Sequence, residues 1–410
     1  MGVPWRGFGD GEPQLRGIHI GVWLGTAGLP SAMTFASLFG LQAFCRTILL
    51  TVIPVEALAR LGDAQDVSLF YFGVSIASMS CSLLIPSLIH IIRRRRVIAL
   101  GTIATSVAAV LFQHQGILTF CLAMWLMVLG FIAWDIALNL YVLDHIPRRE
   151  VNRFEPLRVM FAGAGFTIGP YLGVLLRTEV GYSAPFILLV VAVTTLYAIF
   201  TWLRLSEHPA IQAARRPPPN PLRFFPRYFR QPRLRLAYVL AVGRSGWWSM
   251  FFVYAPIFCV QSGLGEQVGG ALVSGVSMAM LLVPLWGAMG RWWGIRRLLL
   301  LGYAGSGIAS LAVALAMGSP WLGVAVLVAS GLITSVIDGA GNLLFLRAVR
   351  PHERAEMTSV FVTFRDCAQT APPGIFAALL HVFALPAVFV AGGIAMLGLA
   401  GLTRHVPKRY

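Results

Sequence analysis

The amino-acid sequence predicts an all-α polytopic membrane protein whose twelve transmembrane helices form two pseudo-symmetric six-helix bundles. Two observations carry this prediction. Hydrophobic residues make up 57% of the chain and charged residues only 12%, about half the charged fraction of a soluble domain. In addition, landmarks of the first half recur in the second half at a nearly constant offset, which indicates a tandem duplication.

The offset of the repeat is 201 to 203 residues. Gly-Val-Ser-Ile-Ala begins at Gly73, and Gly-Val-Ser-Met-Ala begins at Gly275. An Asp and an Asn lie four positions apart in an apolar run of each half. The matched positions are Asp135 with Asp338, Asn139 with Asn342, Pro54 with Pro256, Gly101 with Gly302, and Pro170 with Pro373. Two copies of one membrane unit account for this pattern.

A helix needs about 20 apolar residues to cross a bilayer, and on that measure each half contains six spans. In the first half the predicted spans are residues 34–57, 67–92, 97–113, 117–142, 157–176 and 184–204. In the second half they are residues 237–260, 268–289, 298–317, 320–346, 357–381 and 383–403. The predicted domains are an N-terminal segment 1–33, a bundle 34–205, a linker 206–236, a bundle 237–403 and a tail 404–410.

The net charge of +16 is concentrated in short segments between the apolar runs. Such a distribution follows the positive-inside rule, so we expect both termini to be cytoplasmic and no nucleic-acid partner. Lys408 is the single lysine among 32 basic residues, which is typical of a GC-rich bacterial genome. We therefore expect a protein of the bacterial inner membrane, with its basic loops near anionic lipid head groups.

The linker combines arginines with aromatic residues, a composition typical of segments that lie on an anionic membrane surface. A binding site for a specific partner is the alternative. The aromatic residues are Phe224, Phe225, Tyr228 and Phe229.

Twelve spans in two halves joined by a basic loop resemble the major facilitator superfamily. The loop after the second span reads Pro86-x-Leu88-x-His90-x-x-Arg93, which resembles the superfamily's Gly-x-Leu-x-Asp-x-x-Gly motif with the Gly and Asp replaced. The second copy keeps Gly287 and Gly294 but has Arg291 where the Asp would stand. The resemblance implies a secondary transporter that works by alternating access.

A second motif lies in the fifth span, where Gly165, Gly169, Pro170 and Gly173 resemble the Gly-x-x-x-Gly-Pro-x-x-Gly motif of antiporters in this superfamily. The resemblance favours export. Small residues four positions apart are also common where membrane helices pack closely, and Pro permits a bend.

Ionisable residues inside a membrane span are costly and mark either a function or a structural ion pair. Those that we identify inside the predicted spans are Arg46, Asp135, Arg244, Asp338, Arg365 and Asp366. Three are basic and three acidic, so a neutral structural network is an alternative to a binding site.

Arg46 and Arg244 are the strongest candidates for substrate binding. The repeat matches Arg46 to Trp248, one helical turn from Arg244, so the two arginines face the same way on equivalent helices. The resemblance implies that these helices line a central cavity. Paired guanidinium groups there would bind a carboxylate or phosphate, with Trp248 and Phe252 against an apolar substrate body and Arg365 as a further substrate or gate residue.

The repeated Asp and Asn pairs predict a carboxylate and an amide on one helical face in each half. Asp135 with Asn139 and Asp338 with Asn342 could carry protons or close a cytoplasmic gate, and Asp366 is a further candidate for titration. Asp144 and Arg347 are equivalent loop positions of opposite charge. They predict an ionic latch between the halves at the cytoplasmic mouth.

The function predicted first is proton-coupled efflux, by antiport, of a small amphipathic or anionic organic molecule or drug. Uptake or exchange of an organic anion or phosphate-bearing solute is the alternative, and a non-transporting membrane scaffold or sensor is the alternative of another class. The sequence has no Walker motif and no pattern of catalytic or metal-ligating residues. We therefore expect no enzyme activity, no cofactor and no metal, and a monomer with protons as coupling ion.

Overall fold

The computed structural model describes residues 32–92, 94–145, 151–203, 221–316 and 318–407. Within these ranges the chain consists of helices and short connections, without β-strands. The helices follow the predicted spans in order.

The first half contains seven α-helices, because the first predicted span is interrupted after Thr47. The helices are α1 (Ala32–Thr47), α2 (Val52–Leu61), α3 (Ala64–Ile92), α4 (Arg94–Leu111), α5 (Ile117–His145), α6 (Val151–Leu175) and α7 (Ala184–Trp202). A π-helical turn, Leu176–Val180, extends α6.

The second half is preceded by a linker helix, and several of its spans are divided by short breaks. The helices are α8 (Pro221–Phe229), α9 (Pro232–Gln261), α10 (Glu266–Ser277), α11 (Val283–Trp293), α12 (Ile295–Ala316), α13 (Pro320–Asp338), α14 (Leu343–Ala348), α15 (Arg354–Phe361), α16 (Phe364–Leu380) and α17 (Pro386–Leu402). Short 3₁₀ segments lie at Met278–Leu282, Pro351–Glu353 and Thr403–His405.

Eight helical segments of the described chain are long and apolar enough to cross a membrane. They are Met33–Leu61, Ile117–Val142, Leu157–Val180, Ala184–Trp202, Glu266–Trp293, Ile295–Ala316, Pro320–Ala348 and Pro386–His405. The four other predicted spans coincide with α3, α4, α9 and the pair α15–α16. Each of the twelve predicted spans is thus helical over most of its length.

The two halves pack together through α2 with α9, α3 with α16, and α6 with α10. We call the end where α2 meets α3 the closed end, and the end where α8 lies the linker end. At the closed end the hydroxyl groups of Ser68 and Tyr254 hydrogen-bond at 2.7 Å, and Gln65 reaches His381 at 3.2 Å. Toward the linker end, α5 of the first half and α13 and α14 of the second make no extensive contact across the interface in the described chain.

The glycines of the span 5 motif pack α6 directly against α1. A Cβ atom at Gly165 would lie 2.7 Å from the backbone nitrogen of Phe44, and one at Gly173 would overlap the carbonyl oxygen of Ile48. The Thr47 hydroxyl donates to the Gly165 carbonyl at 2.8 Å. These small residues therefore let two helices of one half approach closely.

The linker helix α8 packs its aromatic residues onto the linker end of the second half. Tyr228 is fully buried, and its hydroxyl donates to the Leu234 carbonyl at 3.0 Å. Phe225 and Phe229 stack with ring centroids 5.2 Å apart and lie against Tyr238 of α9. These aromatic residues pack against α9, α14 and α15, and the contact of the linker with the membrane surface stays a prediction.

A buried carboxylate fixes α8 in place. Glu353, whose side chain is 5% exposed, pairs with Arg227 and accepts a hydrogen bond from Gln231 at 3.2 Å. The hydrogen bond from Gln231 and, to a smaller extent, the Arg227 guanidinium hold the pKa of Glu353 below its ordinary value of 4.5. Arg227 also lies 3.4 Å from the more exposed Glu356.

Gly173→Ala should lower the free energy of unfolding by ~1–3 kcal/mol, because the added methyl group forces two helix backbones apart. Gly163→Ala is the matched control on the same helix, since its Cβ would meet Leu281 at an ordinary 3.4 Å. Thermal unfolding in detergent measures both. Equal melting temperatures for the two variants would contradict the close packing of α6 on α1.

Acidification should release α8 from the second half. The pKa of Glu353 is lower in the folded protein than its ordinary value of 4.5. Its contribution to docking is therefore fully present above pH 4.5 and is lost as the pH falls through the pKa of the folded state. A spin label at the exposed Arg223 should therefore become mobile at acid pH in the wild type and be mobile already at neutral pH in Glu353→Gln.

Glu356→Gln is the matched control for this experiment, because Glu356 lies at the longer distance from Arg227 and is more exposed. In Glu356→Gln, the spin label at position 223 should remain immobile at neutral pH. Equal mobility in both variants would show that Glu353 does not dock the linker helix.

Candidate functional site

Arginines from four different spans share one electrostatic neighbourhood between the two halves. The guanidinium of Arg365 interacts with those of Arg46, Arg158 and Arg244 and with the carboxylate of Asp135. Arg46 and Arg158 belong to the first half, and Arg244 and Arg365 to the second. The sequence-predicted Arg46, Arg244 and Arg365 are thus brought together, and Arg158 joins them.

Several side chains of this cluster are accessible. Arg365 and Arg46 are exposed, and Arg158 and Asp135 are half-buried. A polar solute can therefore reach the cluster.

Arg244 is held by oxygen atoms of span 10. Its Nε lies 3.4 Å from Asp338 Oδ1, and its Nη1 donates to the Gly341 carbonyl at 3.0 Å. The other oxygen of Asp338 accepts a hydrogen bond from the Trp248 indole at 3.0 Å. The Arg244 and Asp338 side chains are 12% and 22% exposed. The pair is therefore accessible rather than sealed in the core.

Span 10 is broken at this point, which the apolar pattern of the sequence does not predict. Helix α13 ends at Asp338 and α14 begins at Leu343, and between them Gly341 has a positive φ of 50°. The prediction that Asp338 and Asn342 share one helical face is therefore wrong. Asn342 instead lines a small cavity together with Arg244 and Tyr303 of α12.

The equivalent position in the first half remains helical. Asn139 donates through its side-chain nitrogen to the Asp135 carbonyl at 2.7 Å and lies 3.4 Å from the Asp135 carboxylate. This carboxylate and amide share one face of α5, as the spacing predicts. The two copies of the repeat therefore differ where the sequences differ, with Ile136 and Leu138 in α5 matched by Gly339 and Gly341.

The adjacent Arg365 and Asp366 lie on α16, which packs against α3 of the first half. Arg365 interacts with the arginine cluster and with Asp135, whereas Asp366 is half-buried on the side of α3.

An aromatic surface extends from Arg244 toward the closed end. The rings of Trp248 and Phe252 stack with centroids 5.5 Å apart, and Phe252 meets Phe166 of α6 at 6.0 Å. Trp248 is 8% exposed, and the other two rings are half-buried. The predicted pair Trp248 and Phe252 therefore does border the cluster, and Phe166 is an addition that no sequence pattern singles out.

The linker-end latch lies partly outside the described residues. Arg347 is exposed, and the side chain of Asp144 is not among those described. The same holds for the side chains of Pro86, Leu88 and His90, and for Arg93 altogether. The latch and the loop motif remain predictions.

A buried carboxylate in the first span, Glu56, is absent from the residues selected by sequence. It lies 2.6 Å from Arg60 Nε and 2.7 Å from Arg177, and it accepts a hydrogen bond from Tyr182 at 3.0 Å. The sequence could have singled out Glu56 by its position near the end of span 34–57. An isolated Glu in an apolar run needs a basic or hydrogen-bonding partner. Arg60 and Arg177 lie just beyond predicted spans, where arginines are ordinary loop residues.

This cluster continues across the interface at the closed end. Arg177 lies 3.4 Å from Glu266 of the second half. Gln267 donates to Glu179 at 2.7 Å and to Thr178 at 2.9 Å. We call Arg177, Glu266, Gln267 and Glu179 the closed-end lock. Opening this end requires that these contacts between the halves break.

Two helical halves that pack together at one end, with accessible charged side chains on both, are the architecture of many transport proteins. The family model of the Major Facilitator Superfamily matches residues 35–373, so the chain belongs to this superfamily of multi-pass membrane transporters. No curated protein matches the sequence.

Solved structures confirm the fold. A peptide transporter POT in complex with sulfate has a TM-score of 0.74 at 15% sequence identity and covers 94% of this chain and 96% of its own. A mutant of the nucleoside transporter NupG has a TM-score of 0.70 at 14% identity, with 91% and 98% covered. A POT family transporter in complex with 5-aminolevulinic acid has a TM-score of 0.69 at 12% identity, with 90% and 94% covered. The predicted class of secondary transporter is confirmed.

Glu266→Gln should favour opening of the closed end, because it removes the charge that Arg177 meets across the interface while leaving Arg177 paired with Glu56. A thiol-reactive probe should label Ser68→Cys several-fold faster in this background, since a partly exposed ion pair contributes about 1 kcal/mol. Native cysteines are replaced beforehand.

Asp63→Asn is the control, because Asp63 caps the backbone N–H of Ala64 within its own half at 2.6 Å. It should leave the labelling rate unchanged. If Glu266→Gln also left the rate unchanged, the lock would not contribute to closure.

Proposed function

We propose that this transporter takes up a small organic anion together with a proton by alternating access. The observation that carries the proposal is the geometry of Arg244, whose guanidinium is shared by Asp338 and the Gly341 carbonyl in an accessible cavity. An anion that binds Arg244 would compete with Asp338 for the guanidinium.

Displacement couples the anion to a proton. A carboxylate that loses its guanidinium partner in a low-dielectric cavity is stabilised by protonation. Anion and proton would therefore bind in the same step, which is symport. Asp338 is the proposed proton carrier, and Asp135 and Asp366 are further candidates at the cluster. We therefore favour uptake of an organic anion, the first alternative of the sequence analysis, over antiport.

Charge supports an anionic substrate. Among the described residues the site brings four guanidinium groups near three carboxylates, those of Asp135, Asp338 and Asp366. Guanidinium groups bind carboxylates and phosphates with paired hydrogen bonds, so this set of donors fits an anionic group.

Helix packing alone accounts for the Gly and Pro motif of span 5, so the motif need not indicate the direction of transport. Gly165, Gly169 and Gly173 allow contact with α1, and Pro170 lies against Gly270 of α10. The backbone N–H of Tyr171 donates to Ser274 of the second half at 2.9 Å. We infer that the motif serves the rocking interface between the halves.

We also propose that the linker end is cytoplasmic, as the positive-inside rule requires. The state with the halves packed at the closed end would then face inward. Exposed arginines of α8, such as Arg223 and Arg227, would contact anionic lipid head groups while its aromatic residues remain docked on the protein.

Transport in proteoliposomes under an imposed pH gradient tests the proposal, with a panel of organic anions and lipophilic cations. Wild-type protein should accumulate anions with proton influx. Arg244→Gln should reduce anion transport at least tenfold, because a charge-assisted hydrogen bond contributes about 1.5–3 kcal/mol. Arg223→Gln, on the exposed face of α8, is the control and should behave as wild type.

Asp338→Asn separates binding from coupling. This variant should still exchange anion for anion across the membrane but should no longer accumulate anion in response to a pH gradient. Transport of lipophilic cations that survives Arg244→Gln would overturn the proposal and leave the arginines a structural role.

A further inference from the structure

The two carboxylate oxygens of Asp338 are held by two different donors. Arg244 Nε lies 3.4 Å from Oδ1, and the indole N–H of Trp248 donates to Oδ2 at 3.0 Å. Arg244 and Trp248 lie one turn apart on α9, so both reach the end of α13 from the same helical face. Each oxygen therefore has its own donor.

The indole of Trp248 is held firmly by other rings. Trp248 is 8% exposed, its ring stacks on Phe252 at 5.5 Å, and it packs edge-on against Trp247 and Phe251. Asp338, by contrast, is the last residue of α13 before the break in span 10. The direction of the indole N–H is therefore fixed by packing, whereas the position of the carboxylate depends on its donors.

Other titratable groups around this carboxylate are few. The elements packed against α13 are α9, α10, α11, α12 and the 3₁₀ segment before α11. On α12, Tyr303 interacts with Asp338, and its hydroxyl donates to a backbone carbonyl. The charged residue of α11 is the exposed Arg291, and that of α10 is Glu266 at the closed end. In the described chain, the donors to the carboxylate oxygens are thus the guanidinium and the indole.

We propose that Trp248 is a positioning residue for proton uptake, which fixes Asp338 through Oδ2 so that the proton adds to Oδ1. The inference rests on the proposed function, in which an anion competes with Asp338 for Arg244. When the anion engages the guanidinium, Oδ1 loses its donor while Oδ2 keeps the indole. A proton from water then forms the O–H bond at Oδ1 and neutralises the carboxylate, and Oδ2 remains the acceptor of the indole N–H.

The indole also limits the pH at which this step occurs. A hydrogen bond to an ionised carboxylate favours the ionised form, so the N–H of Trp248 opposes protonation of Asp338. The indole cannot take the proton itself, because it is a donor only. Loss of the guanidinium on Oδ1 then triggers protonation, and binding of the anion stays linked to binding of the proton.

Infrared difference spectroscopy of the full chain in detergent, recorded between alkaline and acid pH, measures protonation of Asp338 without a transported solute. The C=O band of the protonated acid is identified by its loss in Asp338→Asn. Trp248→Phe keeps a ring but lacks the N–H. It should raise the midpoint of this titration by about one pH unit, a roughly tenfold gain in proton affinity. It should also move the band to higher wavenumber, because a hydrogen bond to the carbonyl oxygen weakens the C=O bond.

Trp247→Phe is the matched control, because it removes the neighbouring indole N–H, which donates to the Ser310 hydroxyl at 2.9 Å. Its midpoint and band should match those of the wild type. An unchanged midpoint and band in Trp248→Phe would overturn the inference, as would equal shifts in both variants. Trp248→Met also lacks the N–H and takes the place of Trp248→Phe if thermal unfolding shows that the latter does not fold.

The result distinguishes this inference from the proposed function. If Asp338→Asn removes the band but Trp248→Phe changes neither midpoint nor band, Asp338 still takes up a proton and only its positioning by the indole is excluded. If the wild type shows no band that Asp338→Asn removes, the proposed proton carrier is excluded together with the inference.

Discussion

The fold depends on one constraint, that a charge inside a membrane protein must be met by another charge, by hydrogen-bond partners or by water. Two groups of arginines in the described chain satisfy it differently. Arg60 and Arg177 share the buried Glu56, whereas Arg244 shares the accessible Asp338. The first arrangement is built to remain closed. The second leaves its charges where a solute can compete for them, as the proposed binding site requires.

The duplication explains how one chain forms two such different environments. Equivalent glycines keep the copies alike, since Gly101 packs against span 4 at Gly130 and Gly302 packs against span 10 at Ile337. The copies diverge at the matched Asp and Asn pairs. Glycine weakens a helix interior, so two glycines after Asp338 permit the break that exposes the Gly341 carbonyl to Arg244. The first half retains a continuous helix at Asp135 and Asn139, whereas the second half offers the Gly341 carbonyl to Arg244.

The sequence was sufficient for the spans and the two-bundle fold, because the length of each apolar run and the constant offset between the halves determine the order and the pairing of the helices. It was insufficient where an effect depends on contacts between distant segments. Glu56 lies near the end of an apolar run, and its structural role becomes clear only from its contact with Arg177, which is 121 residues away in the sequence. The aromatic residues of α8 could equally face lipid or protein, and composition alone does not distinguish the two. Phe166 is one apolar residue among many until Phe252 is placed beside it.

Alternating access links these separate features. In the state described, the halves meet at the closed end through the lock and through the Phe166–Phe252 contact, and the arginine cluster lies below them. Rocking the halves apart at this end separates the lock and the two rings together, since each pair joins one half to the other. The free energy of these contacts must be replaced when the closed end opens. A solute that bridges the two halves would supply it, which is the energetic requirement for a carrier that changes conformation only when loaded.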